Sequence, residues 1–152
     1  MPHGNGITYV YDSRDRLIER TDSLDQTESW TYDTMNRLVS YTDRKGQTTA
    51  HDYDALGRLA VTTYQDASTV SANYDAGNRL LGLTDTKSGT LGWIYDNLDL
   101  IVQSISPQGN ISYEYDDAGR RTSMTVGSQP RIDYAYDAGD RLQRLTQGSE
   151  IY

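Results

Sequence analysis

Carboxylate and guanidinium side chains recur in this chain at a fixed spacing that could support acid–base chemistry. A Tyr-Asp pair occurs seven times, and in six copies an arginine follows the aspartate by four residues, as Arg58 follows Asp54. Such a pair could act as a catalytic acid and base. Because it recurs in nearly every copy, we interpret it as structural, and an exposed ion pair of this kind contributes about 0–1 kcal/mol.

Few other side chains in the chain could carry catalysis or bind a metal ion. The chain has no cysteine, which excludes disulfides and thiolate metal sites. Of its two histidines, His51 is the only one within the repeats and occupies a position that holds Tyr9, Trp30 and Tyr113 in other copies, so we assign it to packing. Two isolated histidines do not predict a transition-metal site.

Two further kinds of site are also unsupported by the sequence. The seven aspartates could indicate calcium, but the tandem glycine-rich pattern of calcium-binding β-rolls is absent, and turn capping explains them. No Ser-His-Asp set exists without His51, and no glycine-rich phosphate loop precedes a helix. We therefore predict no catalytic residue, no cofactor and no metal ligand, and no enzyme.

The regular spacing of the Tyr-Asp pairs predicts a repetitive architecture. Successive pairs are 21 residues apart, except for one interval of 20 residues between the fifth and sixth copies. A repeat this short cannot bury a core alone and has to stack on its neighbours. The pairs begin at Tyr11, Tyr32, Tyr53, Tyr74, Tyr95, Tyr115 and Tyr136.

Each repeat has the pattern of one β-hairpin. The residues before each Tyr-Asp pair alternate with period two, with an aromatic and apolar face on the tyrosine side and a small, polar face opposite, which predicts one packed and one solvated wall. Three residues after each aspartate stands a residue that tolerates a left-handed backbone, as in a type I turn followed by a left-handed residue. These residues are Asp15, Asn36, Gly57, Asn78, Asp99, Gly119 and Asp140.

The pairing within a hairpin follows from this turn. With a three-residue loop, Asp pairs with Arg and Tyr pairs with the leucine that follows Arg. On the second strand, the apolar residues Ile18, Val39, Leu81 and Val102 fall out of step with the alternation of the two faces. This predicts a β-bulge or register change at these positions. Looser loops are expected between hairpins, at Gly46, Gly89, 107–109, 127–130 and Gly148.

Two neighbouring copies depart from the pattern. Leu100 and Ile101 replace Arg-Leu in the fifth copy, and Arg121 follows Arg120 in the sixth, on either side of the 20-residue interval. We interpret this as a local irregularity in packing.

These patterns predict an all-β chain of about seven tandem antiparallel hairpins that form a curved, twisted sheet. Residues 1–6 are expected to be a flexible lead, 7–147 one continuous array, and 148–152 a tail or the start of an eighth repeat. About fourteen strands would span roughly 65 Å, and open sheets of this width usually curl. The two open edges would pair with further repeats of a parent chain or with other copies of this chain, so we expect self-association.

Charge and hydropathy narrow the class of partner and the location. A net charge of −8 argues against nucleic acid and anionic membrane surfaces. No apolar stretch approaches transmembrane length, and the first six residues do not read as a signal peptide. We expect a secreted or cell-surface location as part of a parent protein whose export signal lies elsewhere.

The segment Tyr53-Asp54-Ala55-Leu56-Gly57-Arg58-Leu59 resembles the YD repeat of Rhs proteins. The same repeat occurs in insecticidal toxin-complex subunits, wall-associated proteins and teneurins, and the resemblance covers about residues 6–147. It implies a sheet strip that spirals into a hollow shell, which in bacterial members encloses a toxic C-terminal domain. Since such shells contain far more than seven repeats, a closed cage and its cargo are expected of a parent protein.

The function implied is a non-enzymatic segment of a shell that encapsulates or presents a toxin or cargo polypeptide. The alternative is a module that binds carbohydrate or a cell-surface partner through Tyr9, Trp30, Trp93, Tyr113 and Tyr134. The residues that carry the repeat signature are Tyr11, Asp12, Arg16, Tyr32, Asp33, Arg37, Tyr53, Asp54, Gly57, Arg58, Tyr74, Asp75, Arg79, Tyr95, Asp96, Tyr115, Asp116, Gly119, Arg120, Tyr136, Asp137 and Arg141.

Overall fold

The computed structural model describes residues 6–148 and 150–151, so most of the expected lead and part of the segment 148–152 lie outside the described residues. Within the described residues the chain forms fifteen strands and no helix. They are β1 (Thr8–Tyr11), β2 (Leu17–Thr21), β3 (Thr27–Tyr32), β4 (Leu38–Thr42), β5 (Thr48–Tyr53), β6 (Leu59–Thr63), β7 (Thr69–Tyr74), β8 (Leu80–Asp85), β9 (Gly89–Tyr95), β10 (Ile101–Ser106), β11 (Gly109–Tyr115), β12 (Arg121–Val126), β13 (Ile132–Tyr136), β14 (Leu142–Gln147) and β15 (Glu150–Ile151).

The strands are hydrogen-bonded in chain order. The chain divides into two compact units, and the division falls within β7: one unit takes the residues up to Ala72 together with Asp85–Lys87, and the other takes Asn73–Thr84 and the residues from Ser88 onward. Pairing is antiparallel within both units, for example between β1 and β2 and between β13 and β14. The predicted all-β array of antiparallel hairpins is confirmed.

The turn after each Tyr-Asp pair has the predicted three-residue loop. In the first repeat the Asp12 amide donates to the Arg16 carbonyl at 3.0 Å, and the Asp15 amide donates to the Asp12 carbonyl at 3.1 Å. Asp15 has a φ of 58°, in the left-handed region. The same position has positive φ in all seven copies, which confirms why only Gly, Asn and Asp stand there.

The second strand of the hairpin contains a β-bulge. Tyr11 pairs with Leu17 as predicted, but Val10 pairs with Glu19, so Ile18 is an extra residue. The register shift recurs between β3 and β4 and between β9 and β10, which confirms the bulges expected at Val39 and Val102. The bulge expected at Leu81 stays a prediction.

The connections between hairpins are tight turns, so the expectation of looser loops is wrong in the first half of the chain. The Asp22 amide donates to the Gln26 carbonyl at 3.0 Å, and Asp25 has a φ of 58°. The same pattern holds Gly46 at a φ of 74° and Ala67 at a φ of 62°. Each of these connecting turns has the geometry of the Tyr-Asp turn but is formed by different residues. The sequence therefore has no uniform signature that predicts a tight turn between hairpins.

The 20-residue interval has a simple structural cause. Between β10 and β11, Ser106 pairs with Gly109, so the connecting loop is only Pro107 and Gln108. The equivalent connection between β4 and β5 has a three-residue loop, because the Asp43 amide bonds the Gln47 carbonyl. One residue fewer in this loop shortens the repeat by one residue.

The expectation of one packed wall is wrong in its simple form, because the sheet forms a single layer. Among the described residues no hydrophobic side chain is buried, and only Thr62, Gly82 and Ser123 are buried at all. Aromatic side chains on the tyrosine face are half-buried by their neighbours on adjacent strands, as Trp30 is by Tyr41 at 5.5 Å between ring centres. Stability therefore depends on lateral contacts between strands and not on a central core.

Candidate functional site

The signature residues of successive hairpins assemble into one recurring contact, which we call the repeat lock. It consists of the Asp and Arg of one repeat, the carbonyl of the residue after that Arg, and the signature tyrosine of the next repeat. The first lock joins Asp12, Arg16 and Leu17 to Tyr32.

The aspartate of the lock organises its own turn. Asp12 Oδ1 accepts the backbone N–H groups of Arg14 at 2.8 Å and Arg16 at 3.1 Å, and Oδ2 accepts the Arg16 Nε–H at 2.7 Å. A carboxylate that caps two amides and pairs with a guanidinium uses most of its acceptor positions. The predicted Asp–Arg pairing is present, and it fixes the orientation of the guanidinium.

The arginine then reaches across to the next repeat. Arg16 Nη1 donates to the Asp33 carbonyl at 3.0 Å and to Asn36 Oδ1 at 2.9 Å. The guanidinium carbon lies 4.8 Å from the centre of the Tyr32 ring, within range of a cation–π interaction. One side chain therefore joins two successive Tyr-Asp turns.

The tyrosine completes the lock through its hydroxyl. Tyr32 Oη donates to the Leu17 carbonyl at 3.0 Å. The backbone ladder between β2 and β3 extends only from Thr21 paired with Thr27 to Glu19 paired with Ser29, so it stops before it reaches Leu17. The hydroxyl supplies a hydrogen bond at the end of the hairpin where the two backbones make none.

The lock recurs along the chain with closely similar distances. Tyr53, Tyr95, Tyr115 and Tyr136 donate to the carbonyls of Leu38, Leu80, Ile101 and Arg121 at 2.8, 2.9, 2.8 and 2.9 Å. Guanidinium carbons lie 4.4, 4.9 and 5.1 Å from the rings in the pairs Arg37–Tyr53, Arg79–Tyr95 and Arg120–Tyr136.

The two irregular copies change the lock in different ways. Leu100 keeps the turn, since the Asp96 amide still bonds the Leu100 carbonyl at 2.9 Å, but it offers no guanidinium, and Tyr115 contributes only its hydroxyl bond. Arg121 lies over the ring of Tyr113 at 4.6 Å, and its buried Nε has no hydrogen-bond partner in the structure. The predicted irregularity is therefore the loss of one guanidinium and the insertion of another.

The lock aspartates are held in the charged form. The Arg16 side chain, together with the Arg16 and Arg14 amides, lowers the pKa of Asp12 to about 2. The backbone amide of Arg37 and then its side chain lower the pKa of Asp33, and Asp54 responds in the same way to Arg58. Carboxyl groups with lowered pKa values are weak bases and are ionised at neutral pH, so they are poorly suited to general acid–base catalysis.

Sequence reasoning missed a second polar cluster near the other turn of the repeat. Glu28 accepts a charge-assisted bond from Arg20 at 2.8 Å and a bond from the Tyr41 hydroxyl at 3.1 Å. Arg44 lies 3.4 Å from Glu28 and 3.3 Å from Asp22. The signal was visible, since Glu28 is the only charged residue at a position that holds threonine or an apolar residue in the other copies.

Three of the aromatic residues proposed as a ligand face make contacts with neighbouring side chains. Trp30 stacks near Tyr41, Tyr113 lies under Arg121, and the Tyr134 hydroxyl lies 4.0 Å from the sulfur of Met124. Tyr9 and Trp93 occupy β1 and β9. A cleft of about 500 Å³ is lined by other residues: Gln47, Thr48, Thr49, Tyr64, Gln65, Asp66, Ser68, Asp85 and Lys87.

The remaining candidate groups fit structural roles. His51 Nδ1 lies 3.2 Å from Thr62 Oγ1 on the neighbouring strand, consistent with packing. Within residues 6–148 and 150–151, acidic and histidine side chains form no cluster suited to a metal ion. The same residues contain no helix with the length and apolar character needed to cross a membrane.

The chain matches the family model described as RHS Repeat over residues 11–48, 36–71 and 95–131. No curated protein matches it.

Several solved structures share the fold at low sequence identity. A crystal structure of TcdB2-TccC3-Cdc42 superposes with a TM-score of 0.72 at 15% identity and covers 96% of this chain and 9% of that one. A Tc holotoxin pore of Photorhabdus luminescens with a variant TccC3 gives a TM-score of 0.72 at 16% identity, covering 95% of this chain and 9% of that chain. A TcdB2-TccC3 crystal structure gives 0.72 at 15% identity over 96% of this chain. This chain spans about a tenth of the length of these structures.

Proposed function

Because the chain belongs to the RHS repeat family, we propose that it is a non-enzymatic structural segment of a larger Rhs-type shell that encapsulates or presents a polypeptide cargo. The observation that carries the proposal is the repeat lock, in which the signature residues join each hairpin to the next. Residues used in this way build a wall and leave no free acid–base pair at the repeated positions.

The similar structures support a toxin as the class of cargo. One of them is a Tc holotoxin, and the others contain TccC3 with TcdB2. The match to about a tenth of each chain fits a segment of a longer wall. We propose that the parent protein is secreted or presented at the cell surface, where toxin-complex proteins of this type act.

The single-layer sheet supports a wall more than a binding module. The lateral contacts of Trp30 and Tyr113 occupy ring surfaces that a sugar would need for stacking. Nothing in the similar structures supports a glycan partner, so we do not propose carbohydrate binding as a second function.

Protease protection tests this proposal. An antibody raised against the 152-residue chain would be used to isolate the full-length protein that contains it. Limited proteolysis of that protein would then be compared under two conditions, with the array folded and with the array unfolded by denaturant. We expect a polypeptide segment outside the array to survive digestion only while the array is folded.

The control is the same digestion of that segment when it is produced alone, which should be degraded rapidly. Equal cleavage of the segment with the array folded and unfolded would overturn encapsulation. A purified array that turned over a substrate, with loss of turnover in an Asp54→Asn variant, would overturn the non-enzymatic assignment.

A further inference from the structure

We propose that Arg121 is a docking point for the carboxylate of an acidic polypeptide segment that lies over the tyrosine face of β11, β12 and β13. The proposal rests on the proposed structural function, because it names one contact through which the wall would hold its cargo. It is carried by a positive charge that the described residues leave without a counter-charge. Arg121 lies inside the array, where the strands on both sides of β12 are present.

Arg121 stands where the other copies carry an aliphatic residue. It pairs with Tyr115 across the hairpin, as Leu17 pairs with Tyr11. An arginine at this position places a charge on the face that is otherwise formed by aromatic and aliphatic side chains. It does not replace the guanidinium that the fifth copy lacks, because it lies over the ring of Tyr113, which is not a signature tyrosine, at 4.6 Å.

The neighbouring strands supply no carboxylate for this guanidinium. The only acidic residues on β11, β12 and β13 are Glu114 and Asp133. Both pair with Arg131, at 2.9 and 2.6 Å, and the alternation of the strands puts them on the face opposite Tyr113. Among the described residues no carboxylate pairs with Arg121, and its buried Nε has no hydrogen-bond partner. Burying a charge and a donor without partners costs stability.

The first half of the chain shows how a guanidinium on the tyrosine face is completed. Arg20 lies on this face, since it pairs with Tyr9. Glu28 accepts from Arg20 at 2.8 Å through one oxygen, and its other oxygen accepts from the Tyr41 hydroxyl at 3.1 Å. Arg121 has tyrosines around it but no equivalent of Glu28. The component that is missing is a carboxylate.

The surroundings of Arg121 fit a polypeptide better than a free anion. With its face on the Tyr113 ring, the guanidinium keeps the N–H donors of its edge for a carboxylate. Burial lowers the pKa of Arg121, but the hydroxyls of Tyr134 and Tyr115 raise it more, and the guanidinium stays charged. The sulfur of Met124 lies 4.0 Å from the Tyr134 hydroxyl. These rings and the thioether offer apolar contact to the methylene groups of a glutamate, which inorganic phosphate lacks.

The first test is a nuclear magnetic resonance titration of the isotope-labelled 152-residue chain with a short capped peptide of alternating leucine and glutamate. We expect saturable shifts at the amides of Tyr113, Arg121 and Tyr134 that weaken as salt is added. The same peptide with glutamine in place of glutamate, and sodium phosphate, should each bind at least about tenfold more weakly. The absence of saturable shifts, or phosphate binding as tight as that of the peptide, would overturn the assignment.

Arg121→Leu restores the residue type of the other copies and should change binding and stability in opposite directions. It should weaken peptide binding at least about tenfold and raise the urea midpoint, because an aliphatic side chain replaces a half-buried charge without a partner. A purely structural role for Arg121 predicts a lower midpoint. That result, or unchanged peptide binding, would overturn the proposal.

Arg144→Leu is the matched control, since it removes the same charge from an exposed position on the opposite face, where Arg144 pairs with Ala135. It should change neither the peptide affinity nor the urea midpoint. An equal loss of affinity in the two variants would show a general effect of net charge and overturn the assignment to Arg121. Protease protection of the parent protein does not depend on Arg121, because a wall can enclose a segment without this contact, so the two failures are distinguishable.

Discussion

At the scale of the residue, the signature tyrosine has two roles that a pattern of alternating residues does not separate. Its ring lies under the guanidinium of the preceding repeat, and its hydroxyl bonds a backbone carbonyl across the gap beyond the short ladder. Phenylalanine could fill the first role and not the second. This difference explains why a chain with 13 tyrosines contains no phenylalanine at these positions.

Replacing Tyr53 by Phe should destabilise the chain by about 1 kcal/mol, because the Leu38 carbonyl loses the hydroxyl that donates to it at 2.8 Å. Urea unfolding followed by circular dichroism measures the change. Tyr11→Phe is the control, since no described residue accepts from the Tyr11 hydroxyl. Equal losses in the two variants would show that the hydroxyl bond contributes nothing.

Ala67 is the one alanine held at positive φ, at 62°, in a turn whose equivalents carry Asp25 and Gly46. Ala67→Gly should therefore stabilise the chain by about 1 kcal/mol, since the left-handed backbone strains a residue with a Cβ atom. Ala55→Gly, at an exposed turn position without positive φ, should be neutral or destabilising. Thermal unfolding of both variants distinguishes strain from a general effect of glycine.

Gly57 tests the same constraint in the opposite direction. A Cβ atom built on Gly57, where φ is 81°, would lie 3.2 Å from Nη1 of Arg37, so it would meet both backbone strain and a lock guanidinium. Gly57→Val should cost about 1–2 kcal/mol. Unchanged stability in urea unfolding would contradict the assignment of the turn.

At the scale of the element, the strands are joined by two kinds of turn: the Tyr-Asp turn within a hairpin and the turn that connects one hairpin to the next. The lock lies only at the Tyr-Asp turns. The Tyr-Asp end depends on side chains because the backbone ladder between successive hairpins stops short of it. The other end depends on threonine pairs such as Thr21 with Thr27 and Thr42 with Thr48, whose hydroxyls lie 3.1 and 3.0 Å apart. Neighbouring hairpins are therefore joined by lock side chains at one end, and by the backbone ladder together with threonine hydroxyls at the other.

Leu100→Arg should restore the lock between the fifth and sixth hairpins and stabilise the chain by about 1 kcal/mol. The new guanidinium would pair with Asp96 and lie over Tyr115, as Arg79 does with Asp75 and Tyr95. Leu98→Arg, at the exposed tip of the same turn, should leave stability unchanged. A gain in both variants would indicate a general effect of charge in this acidic chain.

At the scale of the whole molecule, stability is a sum of local contacts between neighbours and not the property of a shared core. No hydrophobic side chain is buried among the described residues, so each hairpin depends on the hairpins beside it. Charged groups at low exposure contribute at the boundaries that carry an Asp–Arg lock, so protonation of the lock aspartates should lower the stability of the array.

The array should keep its stability down to about pH 4 and lose it as the pH falls towards 2. The pKa values of Asp12, Asp33, Asp116 and Asp137 are lowered in the folded chain by their arginines and turn amides. A lowered folded pKa means that the contribution is complete above the unfolded pKa and disappears as these carboxylates protonate. Urea midpoints measured from pH 7 to pH 2 test this.

A fall in stability already between about pH 7 and 5 would contradict the prediction, because carboxyl groups with lowered pKa values stay ionised in that range. Asp33→Asn is the matched variant: it should be less stable at neutral pH and should lose less on acidification, because one of the titrating locks is absent.

Local patterns in the sequence determined the hairpins, because turn and strand chemistry act over a few residues. The left-handed position at Asp15, the Asp12–Arg16 pair, the Tyr11–Leu17 pairing and the bulge at Ile18 could all be read from spacing. Only the tertiary structure decided what lies between hairpins: the Tyr32 hydroxyl on Leu17, the reach of Arg16 to Asn36, and the lack of buried hydrophobic side chains among the described residues. Those contacts depend on how far adjacent backbones separate beyond the bulge. This distance is set by two neighbouring repeats together, so the sequence pattern of a single repeat does not determine it.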